Sequence, residues 1–362
     1  MNEFDVLVVG AGPAGSLAAI AAARVGARVL LADRAEFPRQ KVCGCCLSAE
    51  ALAALADHDA ADAADGAVPL RTVRLVSAGR ELAVRRDAGA ALSRAELDAR
   101  LAERARRNGA EVRTGCQALP AADGTWSVGG TAVRARCAVV ADGLAGRTLD
   151  ALPGFGWQVT RQSRMGFGAL LPAGAVRCPA GEVRMHVVPG GYVGAVLLPC
   201  GSVDVAAAAD PAAVRDAGGP AAFASHALGD AVRDRGAFRA AAWRGTPTLT
   251  RRRTRVAAEG IIVAGDAASY VEPFTGEGMG WAMRTGAAAG ALAARVSRGD
   301  ASCAEWPDLH RRTCRPARVR CRAISLLLRS PSLVRAAIAA GAAMPRLAES
   351  IAGRIGRPAV GA

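Results

Sequence analysis

The sequence predicts an α/β fold in three parts: a Rossmann-like domain on a parallel sheet, a second α+β lobe built on an antiparallel sheet, and a C-terminal helical tail. Three observations carry that prediction. Near the start, the apolar run "VLVVG" enters a turn holding Gly10, Gly12 and Gly15; an alanine-rich stretch follows, then "ARVLLAD", which ends on Asp33. Far down the chain, residues 260–296 repeat that order, with an apolar strand ending in Gly265-Asp266, the glycine turn "PFTGEGMG" and a long small-residue segment. Between them, residues 181–210 hold apolar runs broken at Pro189-Gly190-Gly191 and Pro199-Cys200-Gly201, the punctuation of an antiparallel sheet.

Each element follows in order. "VLVVG" lacks polar alternation, as expected of a strand buried on both faces. A helix begins near Pro13, where a missing N–H has no cost because first-turn donors lack helical partners. Residues 71–86 alternate as two strands around Ala78-Gly79 and dip into the second lobe. Residues 111–142 read as three short strands with turns at Asp123-Gly124 and Gly129-Gly130, the last returning to the sheet at Val139. Residues 211–242 are alanine-rich and helical in pattern. The tail supplies one or two basic amphipathic helices, expected to pack on the body, with contact to an anionic membrane surface as the alternative. The first domain is therefore discontinuous, over 1–75, 91–150 and 256–300. The second lobe takes 76–90 and 151–255, and the tail 301–362.

Composition bounds the function. Hydrophobic content of 51% with 22% charged residues describes an ordered globular protein of 362 residues, long enough for two lobes without disulfide staples. The formal charge of +14 is almost all arginine, since Lys41 is the only lysine. No basic patch interleaved with aromatic residues is visible, which argues against a nucleic-acid partner. The ten cysteines form no paired CxxC spacing, so no metal site is expected. They read as reduced thiols of a cytoplasmic protein, because no secretory signal precedes the first strand and no run of about 18 apolar residues occurs.

The glycine turn carries the first chemistry. Gly10 permits the tight turn, Gly12 lets backbone approach a pyrophosphate, and Gly15 lets the helix pack on the strand. The helix N-terminus, with Pro13 and Ala14, directs N–H groups and a positive dipole at phosphates. Asp33 stands where an acid can accept hydrogen bonds from a ribose. The second anchor sets Asp266 against a sugar-like hydroxyl, with Gly276, Gly278 and the following helix facing an electron-rich ring edge. Two anchors so far apart in sequence suit one long ligand stretched across the domain, FAD.

Four motifs together resemble the para-hydroxybenzoate hydroxylase fold superfamily of FAD-dependent oxidoreductases, in its geranylgeranyl reductase-like branch. They are "VVGAGPAGSLAA" with "ADRAEFPRQKVCG", "LSRAELDARLAERA", "VVADGLAGRTLD" and "VAGDAASYVEPFTGEGMGWAM". The resemblance spans residues 5 to about 292. It implies FAD contacts at Gly10, Gly12, Pro13, Ala14, Gly15, Asp33, Arg34, Arg39, Cys43, Arg94, Asp142, Gly143, Gly265, Asp266, Pro273, Gly276, Gly278 and Met279. It also places the loop "KVCGCCLS" near the isoalloxazine ring. The chain departs from the family at "CGCCLS", where Cys-Gly-Gly is common, and at Ala145, where serine is usual. The Trp-x-Trp-x-Ile-Pro element of flavin halogenases is absent.

Reactive candidates are Cys43, Cys45 and Cys46, as proton donors or flavin partners, and His186 and Tyr192 on the expected sheet wall. Cysteine also serves as a small apolar filler in such crossovers. Arg39 and Lys41 can meet FAD phosphate or attract NADPH. No second dinucleotide domain is visible, so NAD(P)H would dock transiently or a protein would supply electrons. The expected function is reduction of carbon–carbon double bonds in an apolar, isoprenoid or polyketide-like substrate. Hydroxylation or epoxidation by an NAD(P)H-dependent monooxygenase is the alternative, and a non-catalytic flavin-binding module the third.

Overall fold

The computed structural model describes residues 2–354 apart from 87, 273 and 275. Its first sheet is built as the apolar runs demand. The strand Asn2–Val9 lies between Val29–Ala32 and Thr131–Val140, parallel to both. Ile261–Val263 extends the parallel order on one side and Glu111–Arg113 on the other. Short antiparallel strands at Trp126–Val128 and Ala118–Pro120 complete the meander expected there. Val6, Leu7 and Val8 have no exposed surface, consistent with helices or loops covering both faces.

Two helices on one face set the spacing of the domain. Pro13–Ala23 leaves the glycine turn, and Gly278–Ser297 leaves the second glycine turn and packs across it. Small residues permit this: a Cβ on Gly286 would stand 2.0 Å from the Ala14 carbonyl oxygen. The two sequence motifs are thus brought together by direct helix contact.

The second lobe is a seven-stranded sheet in the order Arg244–Thr248, Met165–Leu171, Val203–Ala209, Gly191–Leu197, Glu182–Val188, Thr72–Ser77, Arg80–Arg85. It is antiparallel except where Glu182–Val188 runs parallel to Thr72–Ser77. Residues 72–75, read from the sequence as part of the first domain, lie in this sheet. The strand begins there because the pairing with Glu182–Val188 starts at Thr72. Helices Pro211–Asp216, Pro220–Leu228 and Arg235–Ala240 cover one face, around Phe167, Phe223 and Phe238. The other face is left toward the first domain.

The tail forms three helices, Trp306–Leu327, Pro331–Ala343 and Pro345–Arg354, where the sequence suggested one or two. It is anchored at its start. Trp306 is fully buried in the first domain, and its indole N–H donates to the Val263 carbonyl at 2.8 Å. The tail then crosses to the second lobe and packs against Arg80–Arg85. A buried pair fixes the crossing: Arg164, just before the strand Met165–Leu171, donates to Glu272 at 2.9 Å and to the Leu328 carbonyl at 3.5 Å. Among the described residues no single helix is long and apolar enough to cross a membrane.

Candidate functional site

One cavity of about 1240 Å³ runs from the first glycine turn, beneath the second sheet, to the tail helices. That exceeds the roughly 300–1,000 Å³ of a typical small-molecule site. It is large enough for a cofactor and a second ligand together.

The polar end is organised by Asp98, which has no exposed surface. Arg94, one turn earlier on the helix Arg94–Arg107, donates to it twice, at 2.9 and 2.8 Å. Arg39 reaches the same carboxylate at 3.1 Å. Both guanidiniums are thereby held toward the glycine turn. A Cβ on Gly12 would stand 3.6 Å from Arg39 Nη2 and 3.7 Å from Arg94 Nη2. Glycine at this position keeps open the space between turn and arginines.

Around that space stand Asp33, Lys41, Asp142 and Asp266. Asp33 accepts from the Ala11 N–H at 2.8 Å and the Ala35 N–H at 2.9 Å, so the acid that ends the second strand also ties down the glycine turn. Burial and the charges of Arg94 and Arg39 draw Lys41 below the ordinary amine range. Burial pushes the Asp266 carboxyl up to about 6, against the opposing pull of Lys41 and Arg94. Asp142 accepts from the Thr148 N–H through Oδ2, while its buried Oδ1 has no hydrogen-bond partner among the described residues. A glycine cradle, three cations and an orphaned carboxylate oxygen fit the phosphates and hydroxyls of a dinucleotide.

The sequence-selected residues divide cleanly. Gly10, Gly12, Pro13, Ala14, Asp33, Arg34, Arg39, Cys43, Arg94, Asp142, Gly143, Asp266, Gly276, Gly278 and Met279 all line the cavity. Gly15 and Gly265 do not. They are packing glycines, against the Gly10 carbonyl and the Ala14 Cβ respectively. Pro273 lies outside the described residues. Tyr192 lines the cavity, edge-on to Phe274 at 5.0 Å. His186 does not reach it. Along Glu182–Val188, Val183, Met185 and Val187 face the cavity, and strand alternation turns His186 to the covering helices, where it meets the Ala227 backbone.

The three loop thiols differ. Cys43 and Cys46 line the cavity, whereas Cys45 sits behind them with a left-handed φ of 52°. Cys45 hydrogen-bonds Cys43 and Arg94 adds its charge, so the Cys43 thiol is lowered to about 6 despite burial. Burial holds Cys46 in its protonated form, and its thiol donates to the Gly44 carbonyl at 2.9 Å.

Asp98, Asp204 and the tail's place in the cavity wall were not singled out from the sequence. Asp98 carried the usual appearance of a helix-surface acid four residues from an arginine. Asp204 had a signal: it is the acid inside "VDVAAAA", an otherwise apolar strand, and its cavity-facing register makes it the exception on that wall. The tail's contribution, with Ile324, Leu328, Val334 and Ile338 walling the far end, depends on long-range packing.

A sequence family described as FAD dependent oxidoreductase matches residues 5–104. The chain is 30% identical over 342 residues to digeranylgeranylglycerophospholipid reductase 2 of Methanopyrus kandleri, covering 84% of this chain and 80% of that protein. It is 29% identical over 333 residues to a menaquinone reductase of Mycolicibacterium smegmatis, covering 85% and 80%. In fold it is similar to a geranylgeranyl bacteriochlorophyll reductase-like protein from Thermoplasma acidophilum, with a TM-score of 0.74 at 20% identity over 92% of this chain and 90% of that one. A flavin-dependent brominase shares the fold at a TM-score of 0.81 and 17% identity, covering 98% and 94%.

Proposed function

The chain belongs to the geranylgeranyl reductase-like FAD-dependent oxidoreductases, and from that premise we propose that it reduces carbon–carbon double bonds in an apolar, isoprenoid-bearing substrate. The observation that carries this reading is the apolar chamber continuous with the cofactor cleft. Its walls are Leu75, Leu82, Val183 and Met185 of the second sheet and Ile324, Leu328 and Ile338 of the tail. A flexible hydrocarbon gains from burial there at about 25 cal/mol per Å².

Bound FAD would supply the hydride. The chain's own residues do the rest. Arg39, Lys41, Arg94 and Asp266 hold the cofactor's polar parts, the glycine turns set its backbone contacts, and the sheet and tail exclude water from the ring end. Arg34, Arg147 and Arg244 are exposed where they line the cavity, which supports transient docking of an anionic reductant, NAD(P)H. The tail also exposes Leu326, Leu333 and Leu347 beside Arg322, Arg335 and Arg346, a surface suited to peripheral contact with anionic lipid.

The test is anaerobic. Holoprotein reduced with NADPH or dithionite is offered menaquinone with an unsaturated tail, or digeranylgeranylglycerophospholipid, and products are weighed. Gain of two hydrogens with return of oxidised flavin is the expected result. Product formed only in oxygen, with an added oxygen atom, would replace this reading with the monooxygenase one.

A further inference from the structure

Asp204 sits in the strand Val203–Ala209, an interior strand of the second sheet beside the central Gly191–Leu197. Its neighbours Val203 and Val205 turn into the lobe's own core, whereas Asp204 and Ala206 line the cavity. Across the sheet Asp204 is paired with Leu170 and Val196, and no cation forms an ion pair with it among the described residues. The residue is 7% exposed, and its Oδ2 is buried without a hydrogen-bond partner among the described residues. Cys45 hydrogen-bonds the carboxyl from the crossover loop. The floor beside it is formed by small residues, since Gly168 and Gly194 flank Ala206 in register.

An unpaired carboxylate in this setting would be a buried charge without compensation. The neutral acid avoids that charge, and burial does raise the Asp204 carboxyl well above the usual carboxylate range. Asp204 lines the cavity wall that also carries Cys43 and Cys46, and as a neutral acid it has a proton to give there.

Resting on the double-bond reading above, we infer that Asp204 is the proton donor to the substrate. One alkene carbon takes the hydride. The π-bond electron pair forms the second C–H bond with the Asp204 proton, the O–H bond breaks, and a carboxylate remains. The carboxylate regains its proton from solvent after product leaves, so atoms and charge balance over the cycle.

The test uses holoenzyme carrying Asp204→Asn, Asp204→Glu or no substitution, with the two lipids named above as probes. Three readouts are taken: FAD affinity, the infrared C=O stretch of a protonated carboxyl at pH 7, and single-turnover oxidation of reduced flavin by lipid. Asp204→Asn should keep FAD affinity within twofold, lose the carboxyl band and slow lipid-dependent turnover at least 100-fold, within the range of general acid catalysis of about 10²–10⁴. KM should change little, and Asp204→Glu should recover part of the rate. Wild-type turnover in Asp204→Asn, or no Asp204-dependent band, overturns the assignment and leaves the reductase reading intact. A wild type that reduces neither lipid overturns the reductase reading, and the donor assignment falls with it.

Discussion

Gly286 and Ala14 meet backbone to backbone. A Cβ on Gly286 would stand 2.0 Å from the Ala14 carbonyl oxygen, and one on Gly290 would stand 2.1 Å from that of Ala18. The helix that opens the cofactor site is thus held against the helix that closes it. Gly286→Val must separate them. The expected cost is about 3 kcal/mol, the upper part of the usual overpacking range, with loss of bound FAD because the glycine turn moves with its helix. Denaturant melts and flavin absorbance measure both. A variant with wild-type stability and full flavin content would show that the contact is not a constraint.

Arg94 and Arg39 both depend on Asp98. Asp98→Ala leaves two guanidiniums without their shared partner and should destabilise the apoprotein by about 3–5 kcal/mol. Arg94→Lys should not restore FAD affinity. One ammonium cannot make the paired 2.9 and 2.8 Å contacts that aim the guanidinium at the turn. We expect FAD binding at least tenfold weaker in Arg94→Lys, read by fluorescence titration. Unchanged affinity would remove Arg94 from the cofactor site.

The parts legible from sequence are those carried by local pattern. The Gly10–Gly15 turn, Asp33 and the Gly265–Gly278 stretch each announce themselves within a few residues. The breaks at Pro189-Gly190-Gly191 and Pro199-Cys200-Gly201 fix three sheet strands almost to their ends. What stayed hidden depends on facing. His186 and Met185 are adjacent in sequence and lie on opposite faces of the sheet, so a residue type alone could not place the histidine. Met165–Leu171 and Arg244–Thr248 pair across about eighty residues, and no turn links them. The tail's role as a cavity wall required knowing that Trp306 anchors one end and Arg80–Arg85 receives the other.

His310 makes stability pH-dependent. It is buried against Trp306 and within 3.7 Å of the Cys314 sulfur, and burial lowers its pKa from 6.5 to about 4. Between those values the unfolded chain binds more protons than the folded one. The contribution is therefore complete above about pH 6.5 and is lost as pH falls toward 4, a change of about 3 kcal/mol. Urea melts of His310→Phe should lack this slope, while wild type shows it. Parallel profiles would place the pH dependence elsewhere.

Cys43 should be the reactive thiol of the loop. With its pKa lowered to about 6, chiefly by the Cys45 hydrogen bond, it is largely thiolate at neutral pH. Iodoacetamide labelling of apoprotein, read by mass spectrometry, should rise through pH 6 at Cys43 and stay low at Cys46. Arg94→Met should slow Cys43 labelling by removing the nearby positive charge, and FAD should protect it. Faster labelling of Cys46 than of Cys43 would contradict the assigned geometry.

Ile324 offers a way to separate the two ends of the cavity. It lines the apolar chamber from the helix Trp306–Leu327, whereas Val319 on the same helix is 63% exposed. Ile324→Trp adds bulk where the hydrocarbon would lie and leaves the arginines and glycine turns untouched. Turnover with the polyprenyl lipids should fall at least tenfold, mainly through KM, with FAD affinity and flavin reduction unchanged. Val319→Trp adds bulk to the same helix outside the chamber and should reduce lipids at the wild-type rate. If both variants lose activity equally, the effect comes from the helix as a whole. If neither does, the substrate lies elsewhere and the tail serves only to brace the two lobes.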